Sequence, residues 1–182
     1  DVCTDEDFTQ DPFLIPSARR HDHRDLPGLL HRLTTPNVIV YCQKGRKLSQ
    51  GVAAWLGAEG VDAQFLQGGM FGWRDHPDTV RVPATKIPAP RNGATLWVTR
   101  HRPKIDRIAC PWLIRRLVDP RARFLYVAPR EVDAVAEKLG ATTFEMEGGI
   151  WSHRGDKCCF DTMLKEFDLK SPAHAQLAKV ER

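Results

Sequence analysis

No apolar run in this chain approaches the length needed to cross a bilayer, and nothing at its start resembles a signal peptide. It has no internal repeat and no low-complexity segment, which excludes repeat arrays and long disordered tracts. Strong charge of one sign is also missing. A net charge of +4 and a pI near 8.9 suit anionic partners but are too mild to imply nucleic acid. The cysteines lack a regular spacing: they stand at 3, 42, 110, 158 and 159, an odd count with one adjacent pair, which fits neither a disulfide framework nor a zinc ribbon. Reduced thiols in the cytoplasm are therefore expected. The chain opens abruptly at "DVC", so residues before Asp1 are expected to be missing.

What is present is enough for one large core or two small ones, with 182 residues of which 42% are hydrophobic and 27% charged. Four prolines between 77 and 96, with the turn pair Asn92-Gly93, prevent a continuous helix there and predict a semi-extended linker over 79–96. This gives a domain over 1–78 and another over 97–182. In the first, a helix over 26–33, a β-branched buried strand over 37–41, a helix over 48–58 and a strand over 61–66 predict a parallel α/β sheet. In the second, strands at 97–100 and 124–127 alternate with helices at 105–118, 131–139, 160–167 and 173–180. Its class is α+β or α/β.

The first strand runs into Cys42, followed by Gln43, Lys44, Gly45, Arg46 and Lys47 and then a helix. Functional groups of open parallel sheets collect at the carboxyl ends of strands. The loop is short enough for its N–H groups to curl around the sulfur, with the helix N-terminus and three cationic side chains adding positive potential. Such settings lower a thiol pKa from about 8.5 to roughly 3.5–7.5, giving a nucleophilic thiolate. The other reading is an inert cysteine beside a solvated basic loop. A phosphatase is disfavoured, because the arginine that chemistry needs after five intervening residues is Leu48 here.

Asp1-Val2-Cys3, the Cys42–Lys47 loop with Gly at its fourth position, and Gly68-Gly69-Met70-Phe71-Gly72-Trp73 follow in order. In these motifs the first domain resembles the rhodanese-like sulfurtransferases. The resemblance implies a parallel sheet flanked by helices, with its first strand truncated here. It also implies that Cys42 is a nucleophile that becomes a persulfide, and that residues Gln43, Lys44, Gly45, Arg46, Lys47 and Leu48 bind a small anionic donor such as thiosulfate. A thiol or cyanide would accept the sulfur, and no cofactor is required. Cys3 stands where that family carries arginine, which implies loss of a salt bridge beneath the loop.

The second domain carries the charge-dense run "TRHRPKIDRIACPWLIRRLVDPRARFLYV". On a helix, Ile105, Ile108, Trp112 and Leu113 make an apolar stripe, with most arginines elsewhere. That run is either a solvated face or a site for a small oxyanion or an acidic partner. Cys110 either caps a helix that starts at Pro111 or lies in the core of one that runs through. Farther on, "WSHRGDKCCFDTML" supplies donors, and Cys110, His153 and Cys158 are candidate metal ligands, with Glu145 and Glu147 as further donors; the spacing fits no zinc template, so no metal is assigned. Residues 102–116, Ser152-His153-Arg154-Gly155 and Phe160-Asp161-Thr162 resemble the C-terminal domain of the chromate-resistance protein ChrB. That implies a role in chromate tolerance and a possible chromate- or sulfate-like ligand. The expectation is a cytoplasmic sulfurtransferase with a chromate-resistance-type accessory domain, without membrane or nucleic-acid partners. The alternative is a non-catalytic, oxyanion-sensing regulatory protein.

Overall fold

A computed structural model describes residues 1–169 and residue 176. The helix expected over 173–180 lies outside the described residues, apart from residue 176. The chain divides into two compact units, Asp1–Thr79 and Val80–Arg182. Among the described residues, no helix is long and apolar enough to cross a membrane.

The first unit contains α1 (Asp5–Gln10), a short extended segment β1 (Phe13–Leu14), α2 (Leu26–Arg32), β2 (Asn37–Val40), α3 (Lys47–Ala58), β3 (Asp62–Phe65) and α4 (Gly69–Asp75). Thr4 caps α1 by accepting the Asp7 N–H, and Asp25 caps α2 by accepting from Gly28. Strands β2 and β3 pair in parallel, with Val38 opposite Ala63 and Val40 opposite Phe65. Val52, Ala53 and Leu56 of α3 pack with Val2, Cys3, Val40 and Cys42 in one core, and Val38, Ala63 and leucines of α2 lie against it. The strand expected to be buried on both faces is buried on one: Ile39, on the other face, is 65% exposed. Its apolar run was ambiguous because β-branched residues suit a half-covered pleat as well as a sandwiched one.

The second unit begins earlier than expected. Residues 80–95 are not a free linker, because Val80, Val82 and Ile87 pack on the core of this unit and Ala94 is buried. Prolines prevent helix there but leave extended packing open. After the extended segment β4 (Val82–Pro83) come β5 (Leu96–Arg100), α5 (Asp106–Leu113), a π turn (Ile114–Val118), β6 (Arg123–Val127), α6 (Val132–Leu139), β7 (Thr142–Thr143) and α7 (Cys159–Glu166). Strand β5 is central and parallel to both β6 and β7, so this unit is α/β. Trp97 of β5 is fully buried and meets Phe144 and Trp151 edge-on, while Trp151 stacks on Phe167 at 4.6 Å. The Trp97 indole donates to Thr95 Oγ1, which donates to the buried Asp119 at 2.9 Å.

Helix α5 runs through Pro111, and Cys110 lies in the core at zero exposure. Proline removes the N–H that would bond the Arg107 carbonyl; the Tyr126 hydroxyl donates to that carbonyl instead, at 3.0 Å. Of the expected apolar stripe only Leu113 faces the core. Ile105, Ile108 and Trp112 are exposed, and Cys110, Leu113 and Ile114 are the buried positions. The exposed face borders an open groove of about 470 Å³ with Arg107, Arg115 and Tyr126 on its walls.

Candidate functional site

Cys42 follows the carboxyl end of β2, and the loop after it is shaped by two glycines. Gly45 has φ +62, and a Cβ there would meet the Leu66 carbonyl oxygen at 2.4 Å and the Gly69 nitrogen at 2.5 Å. At Gly69, φ +58, a Cβ would sit 2.1 Å from the Cys42 carbonyl oxygen. Only glycine permits this approach. It lets α4 begin against the cysteine loop, where the Met70 N–H donates to the Cys42 carbonyl and the Phe71 N–H to that of Gln43, both at 3.0 Å. The loop and the Gly68–Trp73 motif are therefore two halves of one backbone structure.

The Cys42 residue is 5% exposed, and its Sγ lies 3.3 Å from Ser49 Oγ in the first turn of α3. Burial pushes the thiol pKa up, but the Ser49 hydroxyl and the backbone N–H groups of Ser49, Arg46 and Lys44 outweigh it, leaving the thiol below its ordinary value. Lys44, Arg46 and Lys47 point their side chains into solvent. The acidity of the thiol thus rests on hydrogen bonds to the sulfur, whereas the sequence suggested a share for side-chain cations. Leu48, expected among the donor-binding residues, is half-buried and packs against the core of the unit. Gln43 is half-buried and, with Asp1, Cys3 and Met70, lines a cavity of about 10 Å³. Ser49 was missed; its signal was a polar residue on the inward face of a predicted helix.

The Val2 N–H donates to the Tyr41 carbonyl at 2.9 Å, which sets the Asp1-Val2-Cys3 motif beside the start of the loop. Arg20 donates to the Cys3 carbonyl at 3.0 Å and to Asp5 at 2.9 Å, approaches Asp1 at 3.7 Å, and lies over the Phe8 ring. Burial, and next the nearby Cys42, push the Cys3 thiol up to about 11.

All five cysteines are free and buried. In the second unit, Cys110, His153 and Cys158 do not form a ligand set. The Cys159 thiol, then burial, pushes Cys110 well above its ordinary value, and Cys159 Sγ contacts the Trp151 carbonyl at 3.2 Å. Burial pushes Cys158 up to about 12, and its N–H is capped by Asp161 at 3.3 Å. His153 instead meets two carboxylates, Glu145 Oε1 at 2.7 Å and Asp106 Oδ2 at 3.1 Å. Nearby, Arg154 pairs with Glu166 at 2.7 Å, and Phe160 of α7 is core.

Residues 97–182 match the family model for the ChrB C-terminal domain. Protein ChrB of Cupriavidus metallidurans is 38% identical over 73 residues, which are 40% of this chain and 21% of that protein. The chain thus spans about a fifth of the length of that curated relative. The family match leaves the first unit, with Cys42, outside it. No solved structure matches the chain.

Proposed function

We propose that the first unit is a rhodanese-like sulfurtransferase domain whose nucleophile is Cys42, joined in one chain to a domain of the chromate-resistance type. The observation that carries this reading is the Cys42 sulfur placed at the carboxyl end of a parallel strand, 3.3 Å from the Ser49 hydroxyl in the first turn of α3, with its pKa held below the ordinary thiol value by that hydroxyl and the loop N–H groups. An inert core cysteine has no need of such donors, and Cys3, Cys110 and Cys158, also buried, are pushed the other way.

In the first half-reaction the Cys42 thiolate attacks the outer sulfur of thiosulfate. A new S–S bond forms at Cys42, the donor's S–S bond breaks, and sulfite leaves with the electron pair, so charge balances on both sides. In the second, cyanide or a thiolate attacks the outer sulfur of the persulfide and returns Cys42 as thiolate. This is covalent catalysis in two steps. The donors that hold the thiolate also hold the terminal persulfide anion. Lys44, Arg46 and Lys47, exposed around the loop, draw the donor dianion by long-range attraction, so the rate should fall with added salt. The free thiols favour a reducing, cytoplasmic setting.

Cyanolysis of thiosulfate by the wild type and by Cys42→Ser tests the proposal. Turnover in the wild type with only the buffer rate in Cys42→Ser is expected. Equal rates would reject it and leave a non-catalytic anion-binding loop.

A further inference from the structure

We propose that the second unit holds a divalent transition-metal ion on Asp106, Glu145 and His153, a site none of its thiols joins. The three side chains come from separate parts of the chain. Asp106 opens α5, Glu145 stands just beyond β7 at the carboxyl end of the sheet, and His153 lies in the loop before α7. One donor atom from each lies within 4.8 Å of the other two. Both carboxylates are nearly buried, at 11% and 9% side-chain exposure, whereas the imidazole is 57% exposed. The arrangement is two fixed anionic ligands with one neutral nitrogen on the open side. An ion held there keeps positions free for water or an anion.

Several observations go beyond a histidine pairing with acids. His153 Nε2 is shared between two carboxylates at 2.7 and 3.1 Å, and one N–H cannot donate linearly to both. A cation on that side of the ring satisfies all three groups at once. Asp106 is held from behind, its Oδ2 accepting the Cys159 N–H at 3.1 Å, but its buried Oδ1 has no hydrogen-bond partner among the described residues. A buried carboxylate oxygen without a donor is costly and calls for a counter-ion. Glu145 adopts a left-handed backbone, φ +58, which a non-glycine residue keeps only when its surroundings impose it.

The charge around the site fits the same reading. Arg100 and Arg107 approach Glu145 Oε2 at 3.8 and 3.9 Å, and among the described residues the buried Nε of each lacks a hydrogen-bond partner. Both guanidiniums face Glu145, so a divalent ion bound beside them leaves the site with net positive charge. An anionic co-ligand at the open positions balances it and gives the arginine donors a partner. The ligand set of carboxylates and one imidazole favours ions of the Mn²⁺ and Fe²⁺ type over thiol-seeking ones.

The test is titration of the full chain with Mn²⁺, followed by the free-ion EPR signal. The wild type should remove one equivalent of Mn²⁺, and Cys158→Ser should do the same. His153→Ala, at an exposed position that leaves the core intact, and Glu145→Gln should each weaken binding at least 10-fold. Pulsed EPR of the wild-type complex should show hyperfine coupling to one imidazole nitrogen, a readout that does not depend on any variant folding. An undiminished free-ion signal with folded wild type, binding unchanged in His153→Ala, or a bound ion without nitrogen coupling would each overturn the site in favour of a histidine salt-bridged to two acids.

Discussion

At Cys42 the decisive comparison is between burial and hydrogen bonding. Burial alone would raise the thiol pKa, as it does at Cys3 and Cys158. The Ser49 hydroxyl and the loop amides reverse the sign. The linkage follows directly. A thiol whose folded pKa is depressed contributes stability that is fully present above the unfolded value and is lost as pH falls through the folded one. Ser49→Ala removes the largest of the lowering contributions and should move the thiol back up. Thiolate absorbance at 240 nm, followed between pH 5 and pH 10 (a range set by the usual thiol values, about 8.5 unperturbed), should show a step below the ordinary thiol range in wild type. That step should be shifted upward in Ser49→Ala and absent in Cys42→Ser. A step at the same pH in wild type and Ser49→Ala would remove the hydroxyl from the account.

At the level of elements, the loop is only as stable as the helix start that backs it. Gly69→Ala places a methyl group against the Cys42 carbonyl in a left-handed backbone. Strain and overpacking together should cost about 2–5 kcal/mol. By contrast Gly51, inside α3 with open space around it, should tolerate alanine and gain about 0.5–1 kcal/mol. Urea unfolding of the two variants checks both signs, and equal stabilities would contradict the close approach. Much of this was legible in the sequence, because an apolar run ending in Cys42, a glycine loop and a following amphipathic segment leave few arrangements open. The sequence already put Leu48 at the start of α3 without showing the direction it faces, and the first turn turns it toward the core. The stripe on α5 was misassigned for a similar reason. Ile105, Ile108, Trp112 and Leu113 have the right spacing for a buried face, but spacing does not reveal which side the sheet lies on, and here Leu113 takes that side with Cys110 and Ile114 while the other three face out. Asp106, Glu145 and His153 share no local pattern at all. They meet only because parallel strands bring their carboxyl ends together.

The whole molecule combines two α/β units with different chemistry: a thiol held by backbone donors in one, and a carboxylate–imidazole cluster beside two arginines in the other. The second carries the match to the ChrB C-terminal domain. The first supplies the reaction proposed for the chain. The central claim is that one sulfur, and no other of the five, accepts a sulfur atom and gives it up again. Intact-mass spectrometry of the full chain after exposure to thiosulfate tests this most directly. The account predicts a gain of one sulfur atom, mapped to Cys42, absent in Cys42→Ser and reversed by cyanide; an unchanged mass in the wild type, or the same gain in Cys42→Ser, would contradict it.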